Sequence, residues 1–285
     1  MCDSEIHQGL VETSELSRRA FVMAGVAVAG LATSAFAENV VETDVTVKTA
    51  DGEADAALFY PKGKGPWPAV LVWPDILGLR PVFRELGRRL SNEGYVVLVP
   101  NPFYRSKRAP VVDGAFDFSK PEDREKVMGY RKAMTDAAVD TDAAAFLAFL
   151  DLQPQTDKKK RVGVQGYCMG GPLSFRTAAA VSGRIGAVGS FHGGGLVTAE
   201  PSSPHLLIPK TKAAYLVAVA QNDDARQPEA KDVLKKAFEA AGRPATVEVY
   251  PADHGWCVPG SQTYNEAAAE KAWGALLKLY KANLV

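Results

Sequence analysis

RVGVQGYCMGGPLSF, residues 161 to 175, runs from a short β-branched segment into a helix-like one and sets Cys168 between glycines at the junction. Within it, Gly166-Tyr167-Cys168-Met169-Gly170 fits the pattern Gly-x-nucleophile-x-Gly of a strand-to-helix elbow. A nucleophile held there in a positive-φ turn leaves little room for side chains two residues to either side, so Gly166 and Gly170 let strand and helix approach closely. The sulfur is then presented above the sheet. The start of the following helix adds a partial positive field and backbone N–H groups, which favour a thiolate and can receive an oxyanion. A buried, inert cysteine in a glycine-rich turn is the plainer alternative, and the strand before it and helix after it weigh against that.

Outward from the elbow the same grammar repeats. PAVLVW (68–73) and YVVLVP (95–100) are continuous apolar runs of the kind buried on both faces of a parallel sheet, and IGAVGSF (185–191), AAYLVAVA (213–220) and ATVEVY (245–250) continue the series. Helical spacing fills the intervals near 80–93, 123–151, 170–182, 228–241 and 263–283. Ahead of them TDVTVKT (43–49) and ADAALFY (54–60) alternate with a two-residue period around an Asp51-Gly52 turn signal. An antiparallel hairpin leading into a mostly parallel central sheet, with helices on both faces, is the expected α/β architecture. The long loop 101–122 leaves a strand at its C-terminal end, where open α/β sheets bind ligands, and is expected to help form the substrate pocket.

An acid and a base are needed after the nucleophile, in that order. QNDDARQP (221–228) follows one strand and offers Asp223 and Asp224; PADHGW (251–256) follows the next and offers His254. Either acid could fix the imidazole tautomer while His254 takes the thiol proton.

At these residues the chain resembles the dienelactone hydrolases, α/β-hydrolases that use cysteine in place of serine. GYCMGG is similar to that family's nucleophile elbow, DHGW to its histidine segment, AVGSFHGGGL to the strand and glycine turn after the elbow helix, and QNDDARQP to its acid loop. The resemblance extends over nearly all of residues 38–285. It implies the α/β-hydrolase fold and hydrolysis of an ester or lactone through a thioester on Cys168, with His254 as base. The spacing to Pro228 in the family's acid loop favours Asp224 over Asp223. WPDILGLR (73–80) resembles the oxyanion loop, which assigns Ile76 and Met169 to the oxyanion hole and puts Asp75 where the family carries a glutamate that contacts the resting thiol. Arg105, in NPFYR, stands where the family carries an arginine for the substrate carboxylate. His192 is expected near the site, at a position where family members more often have tyrosine. Asp75, Arg105, Tyr167 and His192 together are the expected substrate-binding or gating residues. The alternatives are a broader carboxylesterase for small esters and a non-catalytic exported binding protein on the same fold.

The N-terminal segment reads differently. SRRAFVMAGVAVAGLATSAFA joins Arg18 and Arg19 to an apolar, Ala- and Gly-rich run ending in Ala35-Phe36-Ala37, an export signal of the twin-arginine kind with expected cleavage after Ala37. The twin-arginine export machinery is the expected partner, and a periplasmic or secreted protein without a membrane anchor the expected product. Of three cysteines, Cys168 and Cys257 fall beyond the signal. Cys257, three residues past His254, is expected close enough to Cys168 for an inhibitory disulfide. Lys plus Arg and Asp plus Glu balance at 33 each, so no basic excess points to nucleic acid, and a small molecule is the expected substrate. No ligand spacing of the paired-Cys or His-x-x-x-His kind occurs, and neither a metal nor an organic cofactor is expected for the reaction.

Overall fold

The apolar runs become buried strands. The computed structural model describes residues 39–112, 114 and 116–285, and the expected export signal, 1–37, lies outside the described residues. Strands β1 (Val40–Thr49) and β2 (Gly52–Pro61) form the hairpin, pairing Thr49 with Gly52 and Val47 with Ala54. After them come β3 (Ala69–Trp73), α1 (Pro81–Asn92), β4 (Val96–Pro100), α2 (Pro121–Lys132), α3 (Asp136–Leu152), β5 (Val162–Tyr167), α4 (Gly170–Ala180) and β6 (Ile185–Phe191). The chain closes with α5 (Pro204–Leu207), β7 (Ala214–Ala220), α6 (Gln221–Arg226), α7 (Ala230–Ala240), β8 (Ala245–Tyr250) and α8 (Glu266–Asn283). The eight strands lie in the order β1-β2-β4-β3-β5-β6-β7-β8, antiparallel from β1 to β4 and parallel from there on.

The two-residue strand period divides the core between the two faces of this sheet. Leu71 and Trp73 of β3, Leu98 of β4 and Val164 of β5 pack with Phe146, Phe175 and Phe238 of α3, α4 and α7. Their neighbours Val70, Val72, Val97 and Tyr167 face the other way, onto Phe83 and Leu90 of α1 and Ala272, Leu276 and Tyr280 of α8. Both faces are covered, which is why these strands read as unbroken apolar runs.

Two segments differ from the sequence expectation. The helix expected over 123–151 is two helices, because Thr135 adopts extended backbone angles and its side chain accepts from Ala138 N, capping α3 at its start. The acid loop 221–228 holds a short helix, α6, with Asp223 and Asp224 in its first turn.

Candidate active site

The elbow takes the form its glycines imply. β5 ends at Tyr167 and α4 begins at Gly170, so Cys168 and Met169 make the turn. Cys168 has φ +52°, a conformation that costs a non-glycine residue about 1–3 kcal/mol and persists because its surroundings impose it. The Cys168 N–H donates to Phe191 O at 3.0 Å, and Gly171 N–H donates to Cys168 O at 3.0 Å. A β-carbon on Gly166 would stand 1.9 Å from Gly170 O, and one on Gly170 would stand 2.3 Å from Trp73 O. Both obstacles are backbone and cannot swing aside. Gly166→Ala is therefore expected to destabilise the fold by about 3 kcal/mol, at the upper end of overpacking costs, in a urea titration.

His254 is fixed at three points. Its backbone N–H donates to Asn222 Oδ1 at 2.8 Å, its carbonyl accepts from Thr263 Oγ1 at 2.7 Å, and Nδ1 lies 2.6 Å from Asp223 Oδ2. A carboxylate partner places the ring proton on Nδ1 and leaves Nε2 to act toward the cavity. This corrects the expected choice of acid. Asp224 instead accepts from Lys231 Nζ at 2.8 and 3.0 Å. Successive residues of a helix point about 100° apart, so in α6 only one of the tandem acids can face the end of β8, and the other is turned toward α7.

His192 is the other non-glycine residue with positive φ among the described residues, at +40°. It follows β6 as Cys168 follows β5, donating its backbone N–H to Ala218 O at 2.8 Å. Its buried ring meets that of His254 edge to face, with centroids 4.6 Å apart. One ligand-type atom from each of Cys168, His192 and His254 lies within 4.8 Å of the other two, and all three residues are buried.

A cavity of about 300 Å³ opens onto Cys168 and His254. Ile76 and Met169 line it, beside the apolar side chains of Met128, Pro172, Leu173 and Leu207, and Arg131, Asp136, Arg176 and Glu200 add charge to its lining. The described residues of the loop 101–122 do not line this cavity; the helix after the loop, α2, does, through Met128 and Arg131. Of the wall that Met169 and α4 supply, only Met169 is among the residues expected from the sequence. Its signal was there: Met169, Pro172, Leu173 and Arg176 follow the i, i+3, i+4, i+7 spacing of one helix face.

Three expected gating or substrate-binding residues are engaged elsewhere. Arg105 pairs through Nη1 with Asp142 at 2.7 Å and through Nη2 with Asp51 at 2.7 Å, and its guanidinium lies over the Tyr104 ring. Its donor fork is spent on tying the loop to α3 and the hairpin, not on the cavity. Tyr167 is on the α1 and α8 face, stacked on Phe191 at 5.0 Å and accepting from Gln165 Nε2 at 2.8 Å; burial pushes its phenol above the usual range. Asp75 is fully buried, its carboxylate gripped by Arg80 at 2.6 and 2.8 Å and accepting from Leu77 N at 2.9 Å. The anticipated disulfide is not formed: Cys168 and Cys257 are both thiols. Cys257 sits with Tyr167, Phe191 and Trp273, where burial, with the Asp75 charge as a lesser cause, pushes its thiol well up.

Comparison with known proteins bears on the family and the fold. The model of the dienelactone hydrolase family matches residues 54–284. A carboxymethylenebutenolidase from Pseudomonas sp. strain P51 is 29% identical, over 81% of this chain and 90% of its own length. Among solved structures, a dienelactone hydrolase-like promiscuous phosphotriesterase from metagenomic libraries superposes with a TM-score of 0.71 at 22% identity, covering 87% of this chain and all of its own. The dienelactone hydrolase from Anabaena variabilis superposes with a TM-score of 0.63 at 17% identity over the same shares. At these identities the structural likeness concerns the fold.

Proposed function

Because the chain belongs to the dienelactone hydrolase family, and with it to the hydrolases of the ester and lactone kind, we propose that it opens activated lactones and enol esters through a thioester on Cys168. The observation that carries this reading is the Nδ1 contact of His254 with Asp223 at 2.6 Å beside a cysteine held at φ +52°. Asp223 fixes the tautomer, so that Nε2 of His254 takes the thiol proton as sulfur attacks the carbonyl carbon. The backbone N–H groups of Ile76 and Met169 receive the oxyanion. The alkoxide or enolate leaves with a proton from His254, and water, deprotonated by the same imidazole, then releases the acid and regenerates the thiol.

The thiol narrows the substrate. Thiolate is itself a good leaving group, so an intermediate formed from an ordinary amide expels sulfur before nitrogen, whereas enol esters and lactones part with a stabilised oxyanion. A cavity of about 300 Å³, apolar around Met128, Pro172, Leu173 and Leu207 and charged at Arg131, Asp136, Arg176 and Glu200, suits a small ring or acyl group, at the lower end of the usual pocket range. Side-by-side turnover of an enol lactone, a saturated lactone and simple aryl esters tests the reading. The enol lactone is expected to give the highest kcat/KM; faster turnover of the aryl esters would favour a broad carboxylesterase.

For the segment outside the described residues we propose export of the folded enzyme by the twin-arginine route. The test is whether replacing Arg18 and Arg19 by lysine leaves uncleaved protein in the cytoplasm.

A further inference from the structure

We propose that Cys168, His192 and His254 form a binding site for a borderline-soft divalent cation of the zinc class, and that the bound ion switches the hydrolase off. The donor set is the first argument. One thiolate and two imidazoles suit zinc in ligand type, and three protein ligands with an open fourth position form a stable tetrahedral site. Geometry is the second. Bonds of about 2.0–2.3 Å at tetrahedral angles place donors roughly 3.3–3.7 Å apart, and here the three ligand-type atoms already lie within 4.8 Å of one another. The widest of these gaps exceeds that separation by no more than about 1.5 Å.

The surroundings supply what such ligands need. Asp223 on Nδ1 of His254 sets the tautomer whose Nε2 carries the lone pair, as carboxylates hydrogen-bonded behind ligating histidines do at metal centres. His192 is held at φ +40° just after β6, strained backbone that brings its ring to 4.6 Å from that of His254. The acyl-transfer mechanism leaves this residue without a step, and a third ligand is a use for it. On binding, the sulfur–hydrogen bond is replaced by a sulfur–metal bond and the proton leaves to solvent, with no change of oxidation state. The ion thereby occupies both the nucleophile's lone pair and Nε2 of the base. Metal binding stands whether or not Cys168 carries acyl groups; only the loss of turnover rests on the proposed function.

The test uses the reduced full chain with cobalt(II) as a spectroscopic probe and zinc(II) as the inhibitor. Expected is one cobalt per chain, with a thiolate-to-cobalt charge-transfer band and the intense d–d absorption of a four-coordinate ion. Zinc should displace it at about micromolar concentration or below and block hydrolysis competitively, and a chelator should restore activity. Cys168→Ser should abolish the charge-transfer band, and His192→Asn should weaken cobalt and zinc binding by at least about tenfold, the scale on which even outer-shell changes act. Circular dichroism of each variant reports whether it is folded, and Cys168→Ser, a near-isosteric change, keeps the test valid where His192→Asn fails to fold. Absence of stoichiometric cobalt binding, or a band and affinity unchanged in the folded variants, overturns the proposal. Cobalt binding with no loss of turnover would uphold the site and overturn the inhibition.

Discussion

Cys168→Ala is expected to lower kcat/KM for any ester or lactone substrate by about 10⁴-fold or more while leaving the fold in place. The nucleophile is a chemical requirement of the thioester route, and what survives its removal is the smaller contribution of the oxyanion N–H groups and substrate binding. Retention of the fold follows from local geometry. The turn is imposed by Gly166 and Gly170 against backbone atoms, and by the Cys168 N–H to Phe191 O bond, none of which involves the sulfur. Thermal unfolding should therefore move little, and KM, where chemistry is slower than substrate release, should stay within a few-fold of the original. A variant with wild-type turnover would transfer the chemistry away from Cys168.

The second large effect separates two adjacent residues. Asp223→Asn is expected to reduce kcat by about 10²–10⁴-fold, because an amide can present N–H to Nδ1 and hold the imidazole in the wrong tautomer. Asp224→Asn should leave kcat/KM within about threefold. Asp224 bonds Lys231 in a half-buried pair at the surface, and surface pairs are worth about 0–1 kcal/mol to the fold, with no bearing on the tautomer of His254. Steady-state kinetics of the two variants, measured with the same activated ester, decide the matter. Equal losses, or a larger loss in Asp224→Asn, would contradict the assignment.

That pair also shows where sequence reading stops. The alternation of apolar strands and helical spacings was legible because burial of a parallel sheet on both faces leaves an unbroken pattern in the chain, and PAVLVW, YVVLVP and ATVEVY became β3, β4 and β8. The elbow was legible because its glycines answer to clashes of 1.9 and 2.3 Å with backbone. Which of two consecutive aspartates meets His254 depends on a rotation of about 100° within a six-residue helix, which chain order does not encode. Arg105 illustrates a different limit. Its position in the loop was apparent, but its partners, Asp51 and Asp142, are 54 and 37 residues away in the chain. Cys257 lies three residues from His254, and yet its thiol sits among Tyr167, Phe191 and Trp273. Cys257 stands in the turn after β8, and the direction of a turn side chain is set by the local backbone, not by its distance along the chain from His254.

The most direct test of the central claim is intact-mass spectrometry of the reduced protein after brief mixing with an activated aryl ester, followed by peptide mapping. The account expects a mass gain of one acyl group, located on Cys168, absent from Cys168→Ala and long-lived in Asp223→Asn, where deacylation is slowed. An acyl group on another residue, or rapid turnover with no adduct on Cys168 even when deacylation is slowed, would contradict it.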